Sequence, residues 1–551
     1  MSDRQVSEAV ANNAKAGALL KLSDVSLSIH GSPILQNISL ELVSGSTLGI
    51  IGESGSGKSM TALSIMQLLP RGALMQGSVT FAGQVLNELD EAALCELRGR
   101  DIGMIFQEPM TALNPVKTIG DQVSESVRLH RRVSRREAVE ITLKTLERVG
   151  LPNDEFPLSR YPHELSGGQR QRVVIAIAVA CKPKLLIADE PTTALDVTTQ
   201  AGILELLKEL QRQEGLALVL ITHDLAVVSN MADDIVVMNQ GCIVEHGSIA
   251  RVFNAPAQSY TRMLFAASAL TQMQRESRAR DAQKDSPPLL RVSELVCEYP
   301  TPRKSLFSAP GRFRAVDNVS FEIHEGESVG LVGESGCGKS TLTRALLGLM
   351  PLHSGTIDVA GESINSMQRV SRAARQLMQV VFQDPYGSFN PRHKVHRLIS
   401  EPLHVLEARP SRTEITQRID EVLVSVGMQP EDRDKYIHEF SGGQRQRIAI
   451  ARALIINPKI VILDEAVSAL DVSVRAQVLA LLDELASKQG LSFLFISHDL
   501  SVVQRVTDRV IVMQNGRFVE RGDTQDVFNS PQHAYTQELI QAAPVLNREV
   551  T

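Results

Sequence analysis

The sequence predicts an α/β protein built twice over. The stretch Gly52-Glu53-Ser54-Gly55-Ser56-Gly57-Lys58-Ser59 stands between an apolar run that suits a buried strand, Thr47–Ile51, and a segment that suits a helix, residues 60–69. A stretch of the same form, Gly333-Glu334-Ser335-Gly336-Cys337-Gly338-Lys339-Ser340, recurs in the second half. The motifs that follow each stretch recur in the same order at an almost constant offset, which two chance matches do not produce.

Each stretch reads G-x-x-x-x-G-K-S, the phosphate-binding loop. Its glycines let successive N–H groups point inward as an anion nest, and the helix that follows adds a partial positive charge. Lys58 and Lys339 are then placed to reach β- and γ-phosphates, and the hydroxyls of Ser59 and Ser340 to ligate Mg²⁺. Met60 and Thr341, next in each helix, are counted with the loops. A glycine-rich turn that matches by chance is the alternative for one loop alone.

At 551 residues the chain suits roughly three or four domains or a duplication. Its 43% apolar content is ample for sizeable cores. A net charge of −6 does not suggest a nucleic-acid binder. The apolar run 173–181 falls short of the roughly 20 residues that span a bilayer and reads as a buried helix. The N-terminal MSDRQVSEAV has no signal-peptide core, so the chain is expected in the cytoplasm, with any membrane role borrowed from other chains. Cys95, Cys181, Cys242, Cys297 and Cys337 stand far apart without a C-x-x-C pair, which indicates neither a zinc site nor a disulfide framework.

The duplication sets the expected domains: a tail over 1–18, a first domain over 19–268, a charged, proline-bearing linker over 269–288, a second domain over 289–545 and a tail over 546–551. FQEP at 106–109 recurs as FQDP at 382–385, LSGGQRQR at 165–172 as FSGGQRQR at 440–447, and THDL at 222–225 as SHDL at 497–500. Apolar strands end in Asp189-Glu190 and Asp464-Glu465. In each pair the aspartate is placed to hold Mg²⁺ and the glutamate to polarise an attacking water.

Ser-Gly-Gly-Gln in both halves, with these motifs in order, resembles the nucleotide-binding domain of ABC transporters over nearly the whole chain outside tails and linker. The resemblance implies tandem domains, each with a RecA-like α/β core, an antiparallel β layer and a helical subdomain over roughly 109–165 and 385–440. It implies an intramolecular dimer of the two halves that clamps two ATP head to tail. Each ATP would lie between the phosphate loop of one half and Ser166, Gly167, Gly168, Gln169 or Ser441, Gly442, Gly443, Gln444 of the other; a serine helix cap followed by glycines is the alternative. Gln107 and Gln383 match the Q-loop glutamine that contacts Mg²⁺ and the attacking water. His223 and His498 match the switch histidine; read alone, each would be a core histidine. Asp196 and Asp471 match the D-loop. Tyr299 is the adenine-stacking candidate of the second half, and the matching place in the first is near His30; a surface-loop role is the alternative for both. Phe440 and Ala466 depart from the commoner leucine and proline without removing a catalytic group, so two competent sites are expected.

FQEPMTALNP at 106–115, YPHE at 161–164, FQDPYGSFNPR at 382–392 and the Pro-x-x-x-Tyr-Thr tails at 256–261 and 531–536 resemble the oligopeptide, dipeptide and nickel importer branch, and within it the ATPases of glutathione and microcin-type peptide importers. This implies a peripheral protein of the cytoplasmic face of the inner membrane, bound to two integral membrane permease subunits. An extracytoplasmic solute-binding protein would select the solute, and no nucleic acid would take part. Without the C-terminal cysteine cluster of some relatives, no iron–sulfur cluster is expected. The insert 301–314, with Arg303, Lys304, Arg312 and Arg314, also resembles that branch, a solvated loop being its alternative. The basic run RLHRRVSRR at 128–136 reads as a solvated helix or loop, with contact to anionic lipid as the alternative. A ribosome-acting fused ABC protein would carry a longer charged linker, and a DNA-repair relative would insert zinc cysteines. The helix dipole and Lys339 are expected to favour the thiolate of Cys337, burial being the opposing possibility.

Overall fold

The computed structural model describes residues 17–107, 109–193, 195–272, 287–301, 311–364, 370–384, 387–408, 410–468 and 470–544. Most of the expected tails and linker, and Arg303 and Lys304 of the insert, lie outside them. The chain forms two compact units whose main changeover falls between Ala266 and Ala267.

In the first unit, strands β1 (Leu20–Ile29), β2 (Ser32–Leu42), β4 (Ala73–Phe81) and β5 (Gln84–Val85) form an antiparallel sheet in the order β2-β1-β4-β5. A second sheet, of six strands, runs β10-β9-β3-β8-β7-β6. It comprises β3 (Thr47–Ile51), β6 (Ile102–Ile105), β7 (Leu185–Asp189), β8 (Ala217–Ile221), β9 (Asp234–Asn239) and β10 (Cys242–Ser248). All neighbours pair in parallel except β9 and β10. The continuous apolar runs of β3, β7 and β8 are buried at every position, as parallel strands covered on both faces require. Leu20, Leu22 and Val25 of the antiparallel sheet share one core with Ile50, Ile187 and Val219 of the parallel one.

Helix α1 (Lys58–Ile65) follows β3 and is shorter than the expected 60–69. It starts inside the glycine loop. It stops where Gln67 turns to φ 51°, with N–H of Leu68 bonded to the carbonyl of Leu63 and N–H of Gln67 to that of Ser64. That doubly bonded left-handed cap consumes the carbonyls a further turn would use.

The helical subdomain is present in the first unit as α2 (Ile119–His130) and α3 (Arg135–Arg148). Ser134 caps α3 in a reciprocal box with Glu137. Ile119, Val123, Val127 and Leu146 pack with Val173 and Ile175 of α4 (Gly167–Val179), the expected buried helix. The basic run 128–136 spans the end of α2, the cap and the start of α3, and Arg131 donates to the carbonyl of Cys181 at 3.1 Å. Helices α5 (Val197–Glu214), α6 (Leu225–Met231) and α7 (Ile249–Asn254) follow, and α8 (Ser259–Gln272) runs across the changeover.

The second unit repeats this plan. Strands β11 (Leu290–Pro300), β12 (Arg312–Ile323), β14 (Ser354–Val359) and β15 (Glu362–Ser363) form the antiparallel sheet β12-β11-β14-β15. Strands β13 (Ser328–Val332), β16 (Met378–Val381), β17 (Ile460–Asp464), β18 (Ser492–Ile496), β19 (Arg509–Gln514) and β20 (Arg517–Asp523) form the sheet β16-β17-β18-β13-β19-β20. Its helices include α9 (Lys339–Leu346), α10 (Arg412–Ser425), α11 (Gly442–Leu454), α12 (Val472–Gln489), α13 (Thr524–Asn529) and α14 (Ala534–Ala542). Arg312 and Arg314 of the expected insert lie on β12, where both pair with Glu298. Among the described residues no helix is long and apolar enough to cross a membrane.

Candidate nucleotide-hydrolysis sites

In each unit the phosphate loop, the glutamine, the acidic pair and the histidine gather at the carboxyl ends of four adjacent parallel strands, where open α/β sheets bind ligands. In the first unit β3 delivers the phosphate loop, β6 delivers Gln107, β7 delivers Asp189 and Glu190, and β8 delivers His223. The counterparts β13, β16, β17 and β18 deliver the second loop, Gln383, Asp464 with Glu465, and His498.

The loops have one shape. Gly52 and Gly333 sit at φ 152° and 153°, and a Cβ on either would stand 2.2 Å from the carbonyl oxygen of Met238 or Met513. Only glycine fits there. Lys58 and Lys339 are buried. Nζ of Lys58 donates to the carbonyls of Gly52 and Glu53 at 2.8 and 2.9 Å, and Nζ of Lys339 to those of Gly333 and Glu334 at 2.7 and 2.8 Å. Ser54, Gly55, Ser335 and Gly336 are exposed at the loop tips, Ser56 and Gly338 are buried, Gly57 is half-buried, and Ser59 and Ser340 open to solvent at the helix starts. Met60 packs its half-buried side chain on the core.

Cys337 corrects an expectation. It is buried, and burial pushes its thiol above the ordinary value although Lys339 pulls the other way. Desolvation of the thiolate outweighs the nearby charge, the opposite of the shift expected from the loop position.

Asp189 is buried at the end of β7, and its Oδ1 has no hydrogen-bond partner. Burial raises its pKa, and the hydroxyl of Ser59 beside it works in the opposite direction. An orphaned, buried carboxylate oxygen next to a serine hydroxyl fits the oxygen-only donor set of Mg²⁺. Asp464 is also raised by burial, with the charge of Glu465 adding to the effect.

Glu190 is held by three side chains. Its Oε1 lies 3.3 Å from Nδ1 of His223, and its Oε2 accepts from Gln107 at 3.1 Å and from Thr193 at 2.9 Å. Burial alone would raise this carboxyl. The hydrogen bond and charge of His223 and the Thr193 hydroxyl outweigh it and hold the pKa at about 2. Glu465 is likewise lowered against its burial by His498, whose Nδ1 lies 3.4 Å from Oε1. Gln383 stands exposed after β16. Glu190 and Glu465 share φ of 49° and 51°, and each donates its N–H to the next strand, at Ile221 and Ile496.

Ser166 and Ser441 cap α4 and α11. Their hydroxyl oxygens accept N–H of Gln169 and Gln444 at 3.3 and 3.4 Å, which leaves each O–H proton for another acceptor. The capping and ligand readings of the motif are therefore compatible. Its two glycines differ. A Cβ on Gly168 or Gly443 would stand 2.2 or 2.1 Å from Thr199 or Val474, on the following helix. A Cβ on Gly442 would meet nothing within 4 Å. Asp196 is buried, with its Oδ1 accepting from the hydroxyl of Thr198 at 2.9 Å, and Asp471 stands at the N-cap just before α12.

Tyr299, half-buried on β11, lies with its hydroxyl 3.4 Å from that of Thr341, beside the second phosphate loop. His30 packs instead over Gly72, whose added Cβ would stand 2.5 Å from its ring. Sequence reasoning missed Thr193, missed Gln171, which donates to the carbonyl of Pro191 just after Glu190 at 2.7 Å, and missed Tyr260 and Tyr535 as site residues. The recurrence of the Tyr-Thr tail was the available signal for the last two.

The ABC transporter family model matches residues 35–193 and 316–468, and the model for the C-terminal region of oligopeptide/dipeptide transporters matches 519–551. The chain is 47% identical to the glutathione import ATP-binding protein GsiA of Pectobacterium atrosepticum over 539 residues, which is 93% of this chain and 86% of that protein. It is equally 47% identical to GsiA of Escherichia coli (strain K12), with the same shares covered. Among solved structures, the ATP-binding cassette MJ0796 in a dimeric post-hydrolysis state with ADP and Pi is 32% identical, covers 42% of this chain and 98% of its own, and has a TM-score of 0.38. With two matched domains and relatives alike over nearly its whole length, the chain belongs to the ABC transporter family, as an ATPase with two ABC domains and the C-terminal region of oligopeptide and dipeptide transporters.

Proposed function

We propose that this chain drives import of a peptide or related small solute, such as glutathione, through two separate permease subunits supplied by an extracytoplasmic binding protein. It works as a peripheral subunit at the cytoplasmic face of the inner membrane. The likeness to glutathione import ATP-binding proteins along nearly the whole chain supports the solute class. In this reading the ATPase domains extend over 19–268 and 289–545, and ATP with Mg²⁺ is the full ligand set, with no iron–sulfur cluster.

The observation that carries the chemistry is Glu190, tied to His223, Gln107 and Thr193 one residue after the orphaned oxygen of Asp189. Lys58, Lys339 and the loop amides hold phosphates. Ser59, Gln107 and Asp189, with Ser340, Gln383 and Asp464, would hold Mg²⁺, which supplies charge neutralisation on the phosphate oxygens when bound. Glu190 and Glu465 orient a water for in-line attack on the γ-phosphorus. As its oxygen bonds to phosphorus and the bond to the ADP oxygen breaks, the carboxylate takes the water's proton. Gln107, Thr193 and His223 fix the direction of the Glu190 carboxylate, so it acts first as an orienter. His223 and His498 keep the carboxylates aimed.

The family resemblance supports the finer arrangement, with Ser166 completing the site of Lys339 and Ser441 that of Lys58, and Asp196 and Asp471 crossing between halves. Substrate-stimulated ATPase in vesicles is the test, using the chain reconstituted with permease subunits and a solute-binding protein from its own organism. A peptide or thiol tripeptide held by that binding protein should stimulate hydrolysis and enter the vesicle. Failure to assemble with the permeases would overturn the import reading, and stimulation by a solute of unrelated chemistry would overturn the solute class; both leave the ATPase intact.

A further inference from the structure

After its last strand each unit folds a short segment back toward its own phosphate loop. In the second unit Glu520 on β20 accepts N–H of Gln532 at 2.8 Å and of His533 at 3.0 Å, and Nδ1 of His533 accepts N–H of Tyr535 at 3.2 Å. In the first unit Glu245 on β10 accepts N–H of Ala257 and Gln258 at 2.7 and 3.1 Å. Each carboxylate thereby anchors a segment that presents a tyrosine inward. Tyr535 is 4% exposed, and its hydroxyl oxygen accepts N–H of Glu334 at 2.9 Å. The hydroxyl of Tyr260 accepts N–H of Glu53 at 3.4 Å.

The N–H of Glu334 and the C=O of Gly333 belong to one peptide unit, and that C=O accepts Nζ of Lys339. In the first unit the Gly52–Glu53 peptide likewise takes Lys58 on its oxygen and Tyr260 on its nitrogen. One peptide plane is thus held from both edges, by the phosphate-binding lysine and by a tyrosine about 200 residues onward in sequence, 201 in the second unit. This plane starts the loop at the glycine that admits no side chain. If it turns, its carbonyl leaves the lysine and the N–H groups after it lose their common direction.

We propose that Tyr535 and Tyr260 are positioning residues of the two phosphate loops: by fixing the first loop peptide, the C-terminal segment of each unit keeps that unit's loop preorganised for the phosphates of a nucleotide. The proposal rests on the reading of the loops as nucleotide sites. It gives a task to residues within the matched oligopeptide/dipeptide transporter C-terminal region. A preorganised loop is already aligned when phosphate arrives, so its loss appears in affinity.

The test is Tyr535→Phe in the full chain, which keeps the ring and removes the acceptor. Equilibrium binding of fluorescent ADP and ATP with Mg²⁺ should show one of two sites weakened by about fivefold to tenfold, the range of about 1–1.4 kcal/mol for a positioned hydrogen bond. KM should rise while kcat at saturating ATP stays within about twofold. A lowered melting temperature with unchanged KM and unchanged binding would assign the tyrosine to the fold alone and overturn the proposal. Lys339→Ala is the control: if it leaves nucleotide binding intact, the nucleotide-site reading fails. If Lys339→Ala abolishes one site and Tyr535→Phe changes nothing, only the proposal fails. Tyr260→Phe, at a half-buried position, makes the same measurement on the other loop should Tyr535→Phe not fold.

Discussion

Nδ1 of His223 sits 3.3 Å from Oε1 of Glu190, and the pair recurs as His498 and Glu465 at 3.4 Å. The surroundings are not copied with it. Thr193 turns its hydroxyl onto the Glu190 carboxylate, whereas its counterpart Ser468 bonds the backbone carbonyl of Glu465 at 2.9 Å. Glu190→Gln with Glu465→Gln should lower kcat by at least about 10²-fold, the scale of general-base catalysis, while ATP binding persists. Thr193→Ala should lower turnover less, and only where Glu465→Gln has silenced the second half does its full effect appear. Phosphate release and equilibrium ATP binding, measured on the same preparations, check both points. Substantial hydrolysis by the double variant would remove these glutamates from the chemistry.

The two glycines of each signature should separate on substitution. Gly443→Ala drives a methyl into Val474 at 2.1 Å, so it should cost about 1–3 kcal/mol and lower the melting temperature. Gly442→Ala meets nothing within its own unit and should leave the melting temperature unchanged or slightly raised. Its effect should fall on hydrolysis, because in the proposed function the bare N–H at the helix start is the group offered to phosphate. Calorimetry and steady-state ATPase on the two variants distinguish them. Full activity for Gly442→Ala would leave that glycine without a ligand role.

What could be read from the sequence is what lies in consecutive residues. The phosphate loop, the acidic pair after β7 and the capped Ser-Gly-Gly-Gln each carry their chemistry in a short string, and the second copy removed chance as an explanation. The parallel core was legible because β3, β7 and β8 are apolar at nearly every position. Contacts made when distant segments fold together were not legible. Nothing near Tyr535 in sequence points to Glu334, and nothing near Gln171 points to Pro191. The length of α1 was missed because Gln67 adopts a left-handed cap usually made by glycine, as Gly348 does in the second unit. Arg475 shows a difference that a repeat comparison passes over. It donates to Asp499 at 2.9 Å, next to His498, where the first unit has Gln200 in the matching position.

The anchoring carboxylates predict an acid-sensitive tail. Burial would raise the pKa of Glu520, but the N–H groups of Gln532 and His533 and the nearby His533 hold it below the ordinary 4.5. A carboxyl lowered by folding binds fewer protons in the native state than in the unfolded one. Its contribution to stability is therefore present above the ordinary carboxylate range and lost as pH falls through the lowered value. Glu520→Gln should reduce the melting temperature at pH 7 and flatten its fall between about pH 5 and pH 3. Melting curves at a series of pH values, followed by circular dichroism because the chain has no tryptophan, give the comparison. A variant whose acid profile overlays the native one would show that Glu520 carries no pH-dependent share.

Cys337 should resist thiol reagents despite its place in a phosphate loop. Its Sγ is packed where a Cβ on Gly333 would come within 2.8 Å, and the side chain is 7% exposed. Burial raises the thiol above its ordinary value, so little thiolate forms near pH 7 despite Lys339, whose Nζ is 3.8 Å away. Ser56 occupies the same place in the first loop and is also buried, so a hydroxyl is accommodated there. Brief maleimide treatment should therefore label exposed Cys95 first and leave ATPase activity nearly unchanged. Cys337→Ser should keep activity and show the same labelling pattern. Mapping by mass spectrometry, with and without Mg-ATP, decides the matter. Rapid inactivation that maps to Cys337 and is slowed by Mg-ATP would mean that the loop opens far enough to expose the thiol, and that helix dipole and lysine then outweigh the desolvation seen here.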